Sequence, residues 1–586
     1  MTHRTEAGNK VVWAAVLEKT GRLLTVTVEG QAVEAPYACS GLDALRLAAR
    51  KDKALDALLK NSGYHDNPIV AILANNELLP LSGRLRANCV LTPVRLYSEH
   101  GKRVYRHSIC FLLSRAAHEL FPGRRLVIGH SLGDGYYFSF DDEQSVPSMD
   151  IRKLSERMQV IVEAAESVEN IHLSYQQSMD YFTAMGFTQT RSILEYRNEP
   201  LISLYRSGSY VDIAYEPLVY NTSIMALWEL KPYGSRGMLL RYPRSIDFHT
   251  LLPWRDNPLL FSVFTEYKKR GIIQGVSSLG ELNKVCGTGD IRSFIRLSET
   301  LQESKISAIA DQIHRRGTVR AVFIAGPSSS GKTTFAQKLG IHLQVAGYST
   351  VKVSLDNYYV PRDQVPLDEF GEKDYEALEA LDTAGIRNDI TALCRGESVV
   401  LPRFSFKDSK RFTDGPAITV DASTLLIIEG IHGLNPALRT GLEDNQVFRV
   451  YISALTQLNL DDHNRISTTD NRILRRLVRD KRTRHVDAKI TLGMWSSVER
   501  GERRHIFPYQ NNADAMLNSA LDYELGVLAP FAEPLLRAVK PQDGKAYTIA
   551  RRLLAFLKNA YPIQESLVPG DSLLREFIGG SEFHAE

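Results

Sequence analysis

One short run limits this chain more than any other feature. Gly326-Pro327-Ser328-Ser329-Ser330-Gly331-Lys332-Thr333, followed by Thr334, has two glycines separated by four residues and a Lys-Thr pair directly after the second. It follows an apolar run, RAVFIAG, and opens a stretch of helical character, FAQKLGIHLQVAG. Glycines let a backbone curl around an anion, and successive N–H groups at a helix start donate to phosphate oxygens. Lys332 has the reach for the outer phosphates, and the Thr333 hydroxyl suits Mg²⁺. The expectation is a strand–loop–helix unit holding ATP through residues 326–334, with Mg²⁺ on Thr333.

The flanking pattern extends this unit into a domain. The runs RAVFIAG, TVKVSLD, STLLIIEG and VFRVYIS alternate with helical stretches. Such alternation predicts a parallel sheet covered by helices on both faces. Asp356 ends the second run, at the carboxyl edge where doubly wound sheets bind ligands. It suits a base for an attacking hydroxyl or a Mg²⁺ ligand; a turn cap is the alternative. Glu429 ends the third run and suits a direct or water-mediated Mg²⁺ contact; a solvated strand end is its alternative. Between Arg472 and His485 six arginines and one lysine precede the histidine. This basic stretch reads as a nucleic-acid patch, a solvated helix or a lid that neutralises transferring charge. The phosphate loop upstream favours the lid.

At 586 residues the chain has room for about three to five domains. A net charge of +3 is too small to imply nucleic-acid binding by itself. Cys39, Cys89, Cys110, Cys286 and Cys394 form no CxxC pair, so neither a disulfide framework nor a zinc knuckle is expected. The early apolar run VVWAAVL is too short for a membrane span, and the expectation is a cytoplasmic protein without membrane partners.

Residues 1–97 read as a small β-rich module. It has a Glu29-Gly30 turn, a helical stretch after Ser40 as N-cap, and a hairpin at Asn75-Asn76. Residues 98–250 open with the helix HSICFLLSRAAHELF and continue with strand-like segments. Residues 251–315 form a helical linker, 316–540 the phosphate-binding domain, and 541–586 a terminal helix and tail.

GPSSSGKTT, SLDNYY, LPRFSF, LLIIEGIHGL and RRLVRDKRTRH occur in the order of the uridine kinase and phosphoribulokinase group of P-loop kinases. Residues 318–540 resemble that group. The resemblance implies that Asp356 is the general base on a nucleoside 5′-hydroxyl. It also places Arg479 and Arg484 in the lid, and an aromatic, Tyr359 or Phe404, near the nucleoside; Arg411, like its neighbour Lys410 and like His485, is a further candidate to contact the base. Two base-reading positions depart from the group: Ser409 stands where a histidine is usual, and Val486 where an arginine is usual. The phosphate machinery is complete, whereas uridine selection is not. Uridine is therefore expected to be a poor substrate.

Residues 22–97 resemble a TGS domain, and 98–250 resemble the second additional (editing) domain of threonyl-tRNA synthetases. That domain's HxxxH pair survives here only as His107, with Phe111 in the second place. Its CxxxH pair has become Ala214 and Leu218. A four-ligand zinc site cannot be built from what remains, so neither zinc nor aminoacyl-tRNA hydrolysis is expected. His118 and His130 lie nearby as surface or loop histidines. The first expectation is an ATP-dependent nucleoside kinase. The alternative is an ATP-switched protein that binds tRNA or the ribosome through its N-terminal domains. The sequence leaves the oligomeric state open.

Overall fold

The computed structural model describes residues 23–142, 144–243, 248–405, 410–438 and 441–583. The VVWAAVL run, Phe406 and Ser409 lie outside them.

In the first module Leu23–Val28 turns back into Gln31–Pro36. Glu29 and Gly30 have φ of 46° and 79°, the positive values that a tight turn between twisted strands requires. Ile69–Ala74 and Glu77–Pro80 close in the same way through Asn75 and Asn76. The helical stretch divides, contrary to the single helix expected. Gly41–Ala49 is capped by Ser40, and Lys53–Lys60 starts afresh on Asp52. The Asp52 carboxylate accepts the Ala54 and Leu55 N–H groups, so a new cap competes successfully with helix continuation.

The second region is α+β. Its helix, Glu99–Leu120, begins earlier than the apolar pattern suggests because Ser98 caps it. Tyr105, Ile109 and Leu113 of this helix share one core with Phe138, Leu204 and Met238 from two antiparallel sheets of four and three strands.

The third region is built on five parallel strands: β1 (Ala321–Ala325), β2 (Ser349–Ser354), β3 (Thr424–Glu429), β4 (Val447–Ser453) and β5 (Ala515–Asn518). Their spatial order is β2-β3-β1-β4-β5. Four were expected; β5 has only four residues, too few for a pattern. Every residue of β1 and β3 is buried, as strands covered on both faces must be. Two helices matter for the site: α1 (Lys332–Val345) after β1, and α2 (Thr468–Arg484) after β4.

The helix Ile291–Arg316 presents Ile306, Ile309 and Ile313 to Phe335, Leu339 and Leu343 of α1. The terminal helix Lys545–Leu557 and the tail beyond it pack into one core with α2, through Leu553, Leu574 and Phe577 against Leu474 and Leu477. Among the described residues no helix is long and apolar enough to cross a membrane.

Candidate active site

The parallel sheet brings the ends of β1, β2 and β3 to one edge, and the glycine loop wraps that edge. Gly326 is pressed against β4 so closely that a Cβ there would lie 2.0 Å from the Ile452 carbonyl oxygen. Gly331 takes φ 84° just before α1. Ser329 also has positive φ, 60°, a conformation that L residues hold only when the surroundings impose it. The Ser329 and Ser330 hydroxyls are buried and make no hydrogen bond. Unpartnered hydroxyls in a curled loop at a helix start fit a phosphate chain. The Lys332 ammonium meanwhile donates to the Gly326 and Pro327 carbonyls, at 3.0 and 3.2 Å.

Acidic groups face the loop. Glu429 lies opposite Ser354 in the β2–β3 register, and the Ser354 hydroxyl donates to it at 2.7 Å. Burial pushes the Glu429 carboxyl up, the Asp356 charge beside it adds to the rise, and Lys332 opposes it. Asp356 sits in the single turn Leu355–Tyr358 that follows β2. The carboxylates of Asp356 and Glu429 at this edge, with the hydroxyl of the exposed Thr333 at the start of α1, form an oxygen donor set that fits Mg²⁺. Glu376, which the sequence did not single out, is also here. Burial and then Glu502 raise its carboxyl to about 7, against the pull of Arg476, Lys332 and Arg472.

The six arginines of α2 divide by function of place. Arg472 and Arg475 are buried, 3% and 0% exposed, and ion-paired to Glu502 and Glu524. Both also donate to loop carbonyls, Arg472 to Ser328 at 2.8 Å and Arg475 to Ser329 at 3.4 Å. They fasten the loop rather than cover it. Arg476 reaches the Ser328 hydroxyl at 3.2 Å. Arg476, Arg479 and Arg484 all pair with Asp480, whose carboxyl these charges hold low despite burial. The structure thus places both expected lid arginines on one shared carboxylate and adds Arg476 to them.

Tyr359 packs against Phe404 with ring centroids 5.9 Å apart, and its hydroxyl donates to the Tyr375 carbonyl at 3.1 Å. Burial raises that hydroxyl, with the Asp356 and Glu376 charges adding and Arg476 and Arg484 opposing, so all four groups surround it. Arg411 is held elsewhere, on Asp382 at 2.6 Å. Val486 follows the end of α2, its N–H donating to the Asp480 carbonyl.

The tail supplies a further group at the loop. Glu576 accepts hydrogen bonds from the Thr334 N–H at 3.3 Å and the Thr334 hydroxyl at 2.9 Å. Its carboxylate takes a donor in the first turn of α1, where phosphate oxygens are bound in such loops. No local signal marks Glu576, because its partner lies 242 residues earlier.

In the second region His107, Phe111 and Ala214 line one cavity, so the positions compared with the editing site do converge. Leu218 is buried in the adjoining core. Among the described residues no group of three or more His, Cys, Asp or Glu is arranged to hold a metal ion. His130 is buried rather than a loop residue, and its Nδ1 pairs with the Ser131 carbonyl at 2.6 Å.

A glycine loop at the carboxyl edge of a five-stranded parallel sheet, faced by carboxylates and a basic helix, defines a P-loop kinase domain. Residues 321–524 match the Phosphoribulokinase / Uridine kinase family. The N-terminal region is similar to threonine–tRNA ligases. Identity is 27% to that of Oleidesulfovibrio alaskensis over 35% of this chain and 30% of the ligase. It is 32% to that of Desulfovibrio desulfuricans over 34% of this chain and 30% of the ligase. The chain therefore spans about a third of the length of these relatives. Among solved structures, a possible uridine kinase from Bacillus stearothermophilus is 21% identical over 23% of this chain and 70% of its own, with a TM-score of 0.20.

Proposed function

We propose that this chain is an ATP- and Mg²⁺-dependent kinase that phosphorylates a hydroxyl of a nucleoside-like acceptor. The observation that carries the reading is the meeting of Lys332, Asp356, Glu429 and the α2 guanidiniums around one glycine loop. In this reading residues 326–334 cradle the phosphates, with Thr333 and Glu429 holding Mg²⁺. The metal would draw charge from the phosphate oxygens. Asp356 accepts the acceptor's hydroxyl proton as its oxygen bonds to the γ-phosphorus and the bond to ADP breaks. Lys332 leaves the loop carbonyls for the phosphates. Arg479 and Arg484, with Arg476, stabilise charge as it spreads over the transferring group. Tyr359 and Phe404 offer aromatic faces to a base, a tolerant mode of recognition. Arg411 would have to leave Asp382 to take part.

The test is a panel of uridine, cytidine, adenosine, guanosine and inosine with ATP, with monophosphates detected by mass. Transfer to at least one nucleoside, with uridine not preferred, is the expected result. No transfer to any of them would remove the nucleoside from this reading. The synthetase likeness of the N-terminal third supports a second reading, an RNA contact there. Filter binding of tRNA by the full chain, with and without ATP, tests it.

A further inference from the structure

The cavity at the second region's converged positions is not an empty remnant. It measures about 90 Å³ and lies where that region meets the segment leading into α2. Sites of this size hold a few waters or a small ion. Four arginines line it, Arg103, Arg106, Arg465 and Arg552, together with three carboxylates.

The carboxylates are committed. Glu216 pairs with Arg103 at 2.7 Å and with Arg552 at 3.8 Å. Asp470, in the first turn of α2, pairs with Arg552. Asp212 pairs with His463 at 2.6 Å. Arg106 and Arg465 are left over. Neither forms an ion pair among the described residues, and both lie over the Tyr136 ring, at 5.9 and 5.7 Å. Arg106 Nε and Arg465 Nη2 are buried without a hydrogen-bond partner, as is His107 Nε2. Glu216 and Asp470 favour the Arg106 charge without bonding to it, but Arg106 opposes the charge of Arg465 and both leave buried donors unused, a costly arrangement. A planar fork of donors is the group best matched to a carboxylate or phosphate.

We propose that this cavity binds a small oxyanion, a phosphate or carboxylate group, between Arg106 and Arg465. Such a ligand would satisfy the unused donors and neutralise the excess charge. Asp470 and Ser467 also line the cavity, so occupancy would be felt at the root of α2. The cavity would then be an effector site separate from the glycine loop.

The experiment uses the full chain with its loop saturated by Mg²⁺ and a non-hydrolysable ATP analogue. Inorganic phosphate and acetate are titrated separately, against sodium chloride at matched ionic strength. Thermal midpoint and calorimetric affinity are read for the native protein, Arg106→Gln and Arg465→Gln. The expected result is one bound anion, its affinity falling roughly ten- to hundredfold in each variant, as for loss of a charge-assisted contact. Phosphate or acetate preference then identifies the group. Without anion, the variants should melt no lower than the native protein, which a purely structural arginine would not allow. Should either glutamine variant fail to fold, Arg465→Lys keeps the charge, and its weaker binding carries the same meaning. Absence of binding by both anions, or binding unchanged in both variants, would overturn the proposal.

Discussion

The molecule holds two polar pockets with different fates. At the glycine loop Lys332, Asp356 and Glu429 meet at the sheet edge, with Arg476 and Arg484 of α2 close by. In the editing-like region three of the four compared positions have become Phe111, Ala214 and Leu218, while His107 persists without a hydrogen bond at Nε2. That region nevertheless buries charged groups where it meets the kinase domain. Asp462 of the kinase domain enters it fully buried, accepting from Arg125 at 2.7 Å and from the Thr190 N–H and hydroxyl at 2.9 Å each. The difference teaches that a region without those histidine and cysteine positions can still do polar work: here buried hydrogen bonds join it to the kinase domain.

The contrast can be broken or sharpened by experiment. Asp356→Asn should lower phosphoryl transfer by about 10²–10⁴-fold, the usual worth of general-base assistance, and leave ATP affinity nearly unchanged. Parallel loss of nucleotide binding would make Asp356 a metal or structural residue instead. Lys332→Ala should reduce turnover on the order of 10²–10³-fold. Turnover near native would show that the loop is not the seat of reaction.

Asp462→Ala should cost about 2–3 kcal/mol of stability, since it leaves the Thr190 donors without their acceptor and takes from Arg125 one of its two carboxylates, the other being Asp141. Urea unfolding reads this, and an unchanged midpoint would mean the two regions do not depend on each other. Glu216→Gln tests the same junction by pH. Burial opposes ionisation of Glu216, but Arg103 and Arg552 hold its carboxyl down at about 2, against an ordinary 4.5. A depressed carboxyl contributes stability that is present above pH 4.5 and is lost as pH falls toward 2. The variant should therefore melt lower than the native protein at pH 7, and the gap should narrow in acid. Glu576→Gln should give the smallest change, a few-fold tighter binding of ATP, because a competing anion leaves the Thr334 donors. Weaker binding would make Glu576 a support of the loop.

What the sequence made legible follows from locality. The loop, Asp356 and Glu429 were readable because each lies at the end of an apolar strand, within a few residues of its structural cue. The roles of Arg472 and Arg475 were not, since their partners Glu502 and Glu524 lie 30 and 49 residues away. A run of arginines looks the same on paper whether it faces phosphate or is locked on buried glutamates. Glu376 was hidden likewise, because the charges that act on it, Glu502, Arg476 and Lys332, lie far from it in sequence. β5 was missed for its length, and the break at Asp52 because capping competed with a continuing helical pattern.

The docking of Asp462 also bears on how the chain is made. Synthesis runs from the N-terminus, and domains generally fold as units as they emerge. Arg125, Thr190 and Asp212 therefore leave the ribosome some 250 or more residues before Asp462 and His463 exist. Wherever the N-terminal half folds first, those groups face water until the kinase segment reaches them. The contacts of Arg125, Thr190 and Asp212 with Asp462 and His463 are thus ones that only the finished chain can make.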